Sequence, residues 1–174
     1  MHYLPRNVGL LMLGMSLSSC ATANSAQSQT NVEQQVKQAA SDAEKSANFS
    51  AALDRHIKAI QTRNLAEIEA TITKGEELEL IFPSGKRSNT RAAYMDFHRK
   101  WFADKSWRMT FKHTSMNVSK DVAYALYETS YTDSAEDGNE STSHAWLHFI
   151  FRLENGEWRL VHDQNTAIKA PVPR

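Results

Sequence analysis

The residues best suited to chemistry lie near the end of the chain, in the stretch WRLVHDQNT at positions 158 to 166. If this is a regular strand, alternation puts Trp158, Leu160, His162, Gln164 and Thr166 on one face, with Arg159, Val161, Asp163 and Asn165 on the other. The Trp-Leu face is the expected core face, so His162 and Gln164 would project inward. A buried polar group without a hydrogen bond costs roughly 1 to 3 kcal/mol, so a pocket holding water or a ligand would suit them. A β-bulge would reverse the assignment. Tyr127, Thr129 and Tyr131 share one face of an earlier alternating stretch and offer apolar bodies with polar tips, fitting an apolar ligand that carries an oxygen. His162 as base with Tyr127 as donor is the conceivable catalytic pair. The bland alternative is that these groups satisfy one another and seal the fold.

Two further patterns point to no metal. In HAWLH, His144 and His148 have the four-residue spacing of a helical zinc pair, but on a strand they stand about 13 Å apart. The acidic stretch DSAEDGNE has Ala135 where a calcium loop needs Asp or Asn. No metal or cofactor is expected, and neither a phosphate loop nor a nucleophile elbow is present.

The positioning elements follow from periodicity. Phe49, Leu53, Ile57 and Ile60 predict an amphipathic helix, and Leu65, Ile68 and Ile72 a short second one. EELELIFPSGKR alternates as a strand and stops at Pro83-Ser84-Gly85. Asn89 or Thr90 can cap a third helix containing Tyr94, Phe97, Trp101 and Phe102. After Lys105 come four strands, WRMTFKHTSMNV, VAYALYETSYT, TSHAWLHFIFRL and EWRLVHDQNTAI, the last two joined by the turn ENG. Helices followed by an antiparallel meander predict an α+β fold with helices on one face of a curved sheet.

The N-terminal stretch reads differently. Arg6, the apolar run VGLLMLGMSL and then LSSC resemble a bacterial lipoprotein signal, with residues 1–19 removed and Cys20 lipidated. Cys20 is the only cysteine in the chain, so an internal disulfide is impossible. An ordinary signal cleaved after Ala23 or Ala26 is the alternative. Residues 20–47, rich in Ala, Ser, Gln and Asn, predict a flexible tether with transient helicity. Ala21 beside the cysteine is not the aspartate associated with inner-membrane retention, so the resemblance implies the outer membrane, facing the periplasm. Of the 20 basic residues only Arg6 precedes Cys20, leaving 19 against 20 acidic ones. With no basic run, nucleic acid is disfavoured as a partner.

The helix-terminal FHRKWF, the strand VAYALYETSYTD and above all RLENGEWRLVHDQNT resemble the SnoaL-like branch of the nuclear transport factor 2 superfamily, which includes the calmodulin-dependent kinase II association domain and ketosteroid isomerase-like proteins. The resemblance spans about residues 48 to 168, leaving 169–174 as a tail. Family members often carry W-x-(I/V)-V-H-x-H-x-S where this chain has Trp158, Leu160, Val161, His162, Gln164 and Thr166. Gln164 replaces the second histidine, Thr166 the serine, and Asn165 an arginine found in the kinase relatives. The resemblance implies a cone-shaped, cystatin-like sheet on three helices, a deep pocket and a homodimer formed through the sheet. The functions expected are binding of a small, partly apolar molecule, with Tyr127, Thr129, Tyr131, Trp158, His162 and Gln164 around it. Acid–base isomerase, dehydratase or cyclase chemistry and a purely structural assembly role are the alternatives.

Overall fold

The computed structural model describes residues 20–169, with side chains from residue 29 onward. The expected signal peptide, 1–19, lies outside the described residues, as do the side chain of Cys20 and most of the C-terminal tail. The chain divides into two units, 1–41 and 42–174. In the first, the described residues are helical and every described side chain is exposed. The stretch expected as a tether is thus helix, as its Ala, Gln, Glu and Lys content favours. None of the described helices is long and apolar enough to cross a membrane.

Helix α1 runs Cys20–Gln61, α2 Leu65–Thr71 and α3 Arg91–Ala103. Phe49, Leu53, His56 and Ile60 form the buried stripe of α1. The helix ends where Arg63 takes φ 53°, with Arg63 N–H on the Ile60 carbonyl and Asn64 N–H on that of Ala59. That is a Schellman closure with arginine in the position glycine usually takes. Asn64 at once caps α2, its Oδ1 accepting from Glu67 N–H at 3.1 Å. Thr90 caps α3 in the same way through Ala93 N–H.

Six strands make one sheet: β1 Glu77–Ile81, β2 Arg87–Thr90, β3 Arg108–Val118, β4 Val122–Ser134, β5 Glu140–Glu154 and β6 Glu157–Ala167. Their order is β2-β1-β6-β5-β4-β3, so β2 and β3 are open edges. The fold is α+β, as expected, with one correction: β1 and β6 run parallel, so the sheet is mixed. Only an antiparallel pair can close through a tight hairpin, and the α3 connection between β1 and the meander frees β1 to take the other direction. Strand β2 is too short to show in the sequence. The β5–β6 hairpin turns through Asn155 and Gly156, both at positive φ, as the type I′ geometry of an Asn-Gly turn requires.

The decisive irregularity is in β6. Phe151 pairs with Leu160 while its neighbour Ile150 pairs with His162, leaving Val161 as an extra residue. Two different partners on the other side explain it. Leu160 is bridged to Ile72, and residues 162–164 pair with Glu79, Leu80 and Ile81 of β1. Val161 takes up the mismatch between these partners.

Candidate functional site

The bulge at Val161 corrects the expected face of the last strand. Trp158 and Leu160 are buried as predicted, but beyond the bulge the inward residues are Asp163 and Asn165. His162 and Gln164 are half-buried on the other face, where Gln164 lies opposite His148 and His162 opposite Ile150. The His162 Nε2–Gln164 Oε1 distance is 3.4 Å, and each serves the other on the outer face rather than a pocket.

Asp163 and Asn165 open onto a cavity of about 330 Å³ between the inner sheet face and the helices. Its apolar wall comes from Leu80, Phe82, Phe97, Trp101, Met109 and Leu147, and its polar groups from His98, Thr129, Tyr131, Ser143, Asp163 and Asn165. Of the residues predicted to bind a ligand, Thr129 and Tyr131 therefore lie on this wall. Tyr127 shares their strand face but is buried among Phe111, His113 and Phe149. Burial raises its hydroxyl to about 12. Trp158 packs edge-on against Phe49, 5.6 Å between ring centres, in the core away from the cavity.

Aromatic stacking sets the cavity's shape. Trp101 lies on Trp107 with ring centres 4.2 Å apart, and Phe97 stacks on Trp101 at 5.4 Å. Trp107 is fixed by its indole N–H to the Trp101 carbonyl, and the Arg63 guanidinium covers its ring at 4.1 Å.

Asp163 is the chemical centre. Only 5 % of it is exposed, and burial raises its carboxyl to about 7, against smaller opposing hydrogen bonds from Tyr94 and Asn165. Asn165 Nδ2 donates to Oδ1 at 3.0 Å, and the Tyr94 hydroxyl stands 3.3 Å from Oδ2. Such a carboxyl exchanges its proton near neutral pH, the property a general acid or base needs.

His98 supplies a second polar feature. Its Nδ1 lies 2.9 Å from the Tyr94 carbonyl, which can only accept, so Nδ1 carries the ring proton. Burial lowers the imidazole to about 4, so it is neutral at pH 7. Its Nε2 is thus an acceptor, with no hydrogen-bond partner among the described residues, on a residue that lines the cavity. Among the described residues, no group of three or more His, Cys, Asp or Glu is placed to hold a metal ion.

Comparison with known proteins identifies the architecture. The sequence profile described as a SnoaL-like domain matches residues 50–167. A ketosteroid isomerase-like protein from Erwinia carotovora atroseptica is similar in structure, with a TM-score of 0.60, 17 % identity and coverage of 71 % of this chain and 96 % of that one. A candidate dehydratase of the nuclear transport factor 2-like family from Streptomyces avermitilis gives a TM-score of 0.63 at 12 % identity, covering 74 % of this chain and 99 % of its own. The calmodulin-dependent kinase II association domain of C. elegans gives 0.57 at 14 % identity, covering 72 % and 98 %. No curated protein sequence matches the chain.

Proposed function

The chain belongs to the SnoaL-like domain family, and from that premise we propose that its cavity receives a small, partly apolar molecule and that Asp163 moves a proton on it. The reaction class is acid–base isomerisation or dehydration. One observation carries this reading: a buried carboxyl titrating at about 7 stands in the wall of a largely apolar cavity. Similarity to proteins described as ketosteroid isomerase-like and as a candidate dehydratase supports the same class. Tyr131 and Thr129 would orient the ligand's oxygen, and Phe97, Trp101 and Leu147 would hold its apolar body.

A direct test uses a panel of enolisable ketones and β-hydroxy ketones in deuterated water, followed by proton NMR. Wild-type protein should catalyse exchange at the carbon next to the carbonyl, or loss of water, and Asp163→Asn should not. Equal rates for the two proteins, or no catalysis by either, would overturn the catalytic part of the reading.

Around this domain we place a lipid anchor at Cys20, following the LSSC motif, and hence a position on the cell envelope, at the outer membrane facing the periplasm. A homodimer through the outer sheet face is the expected assembly. Its support is an exposed apolar surface on the inner pair of meander strands: Val122 and Tyr124 on β4 and Trp146 on β5 are each at least 40 % exposed.

A further inference from the structure

Three polar groups on the cavity wall can only accept hydrogen bonds. Thr129 donates its hydroxyl to the Ala145 carbonyl at 3.1 Å, so its one proton is committed and its oxygen can only accept from a ligand. Asn165 is in the same state. Its Nδ2 donates to Asp163 Oδ1 at 3.0 Å and reaches the Ile81 carbonyl at 3.5 Å. That carbonyl only accepts, so the amide nitrogen is the end turned to it, and Asn165 Oδ1 is left as an acceptor.

His98 is the third, and its orientation is fixed. Tyr94, Phe97, Trp101 and Phe102 surround the imidazole, with ring centres 4.2 to 5.7 Å away. Turning the ring over would break the bond from Nδ1 to the Tyr94 carbonyl, so Nε2 stays at the far end, away from α3. Among the described residues, Arg63 Nε and Ser88 Oγ are the buried side-chain polar atoms sealed from open space without a partner. His98 Nε2 also lacks a partner but is not sealed. Since the residue is 1 % exposed and lines the cavity, the space that Nε2 touches is the cavity's own.

The wall's donors lie nearer solvent. They are the hydroxyls of Tyr131 and Ser143 and the indole of Trp101, of which Ser143 is exposed and the other two half-buried. No lysine or arginine lines the wall, so a ligand carboxylate would meet Asp163 with no counter-charge. A ligand cation would shed its water in a largely apolar space for a carboxyl that is itself about half protonated at pH 7.

We propose that His98 is a specificity-determining residue whose Nε2 accepts a hydrogen bond from a hydroxyl of the ligand, so that the cavity takes a neutral alcohol with its hydroxyl innermost. The inference rests on the reading that this cavity receives a small, partly apolar molecule, and it narrows the class from ketones in general to hydroxy ketones. The hydroxyl would lie against His98 and the carbonyl toward Tyr131, where a donor is available. A ketone without a hydroxyl would leave Nε2 facing an apolar body, and a buried acceptor without a partner is costly.

The experiment compares four probes of nearly one shape: 1-indanol, 1-indanone, indane and 1-aminoindane, which is charged at pH 7. Their affinities for the full chain are measured by quenching of tryptophan fluorescence. Wild-type protein should bind 1-indanol about tenfold more tightly than 1-indanone or indane, one hydrogen bond to an otherwise unpartnered acceptor. His98→Phe keeps a ring among its aromatic neighbours and removes the acceptor, and the preference should vanish. A second readout needs no variant: in protein labelled with nitrogen-15 histidine, 1-indanol should move the His98 Nε2 resonance upfield and 1-indanone should not. Equal affinities for 1-indanol and 1-indanone, an unmoved Nε2 resonance, or no binding of any probe overturns the proposal. Tighter binding of 1-aminoindane overturns the neutral alcohol as ligand. Catalysis of deuterium exchange without the indanol preference would sink this inference alone. An indanol preference in a protein without catalysis would sink the proton-transfer reading and leave the His98 assignment standing.

Discussion

Tyr94 on α3 and Asp163 on β6, 69 positions apart, meet through oxygens 3.3 Å from each other with both side chains withdrawn from water. This contact ties the third helix to the strand that carries the carboxyl, and it puts a hydroxyl behind the acid instead of solvent. Burial and the neighbouring Asp163 raise the Tyr94 phenol well above its usual range, so it is un-ionised and its proton can turn but does not leave.

Three buried groups make stability depend on pH in opposing ways. His56 and His98 are depressed to about 3 and about 4, so between pH 5 and 6 the unfolded chain binds two protons that the native state refuses, and their stabilisation is lost as pH falls. Asp163, raised to about 7, works the other way: the native state keeps a proton the unfolded chain has released, so its contribution grows as pH falls. Among these three groups the net is one proton, or about 1.4 kcal/mol of stability lost per pH unit on acidification. Asp163→Asn should steepen the measured slope by about 1.4 kcal/mol per unit. Urea unfolding at pH 5 and pH 6 measures it, and an unchanged slope would contradict the shift assigned to Asp163.

Filling the cavity should abolish binding without touching the acid. Ala145 lies on the wall, and Ala145→Phe puts a ring into the space at a cost of roughly 1 to 3 kcal/mol in overpacking. Native mass spectrometry of protein purified from its own host should show a small bound mass in the wild type that this variant lacks. Retention of the same adduct would place the ligand elsewhere.

The β5–β6 turn should be a sensitive surface point. Gly156 has φ 85°, and although nothing would crowd an added Cβ, that conformation itself opposes an L side chain. Gly156→Ala is expected to cost about 1 to 2 kcal/mol, read as a lower thermal midpoint. Gly156→Asn, a residue tolerant of this region, should recover part of the loss.

The lipidation proposed at Cys20 is independent of the fold. Cys20→Ser should abolish metabolic labelling with palmitate and release the protein from the membrane fraction. Label that persists in this variant would remove the anchor.

Much of the architecture is legible in the sequence because helix and strand periods are long and unbroken: the stripe Phe49, Leu53, Ile60, the Thr90 cap and the Asn155-Gly156 turn all stand in the structure where their chemistry puts them. The parallel pairing of β1 with β6 is not legible, since direction is settled by where a connection lands and not by the strand's own residues. The candidate site was half visible. Thr129 and Tyr131 follow from alternation along β4, whereas Asp163 is assigned to the wrong face by that same rule. The error lies in Val161, which has an ordinary strand side chain; its displacement comes from Ile72 and β1, which are distant in sequence. His56 was hidden for another reason: a histidine in an amphipathic stripe looks like a surface residue until its neighbours on other elements are known.

Val161 behaves like a frameshift written in three dimensions. Upstream of it the strand is read in one phase and downstream in the other, so a single residue chooses whether the cavity is furnished with a carboxyl and an amide or with the imidazole of His162 and the amide of Gln164. Ironing out that one kink would exchange the two sets wholesale while leaving every letter of VHDQN in place. A sheet built this way carries two alternative pocket chemistries back to back, and moving between them requires a change of spacing rather than of residues.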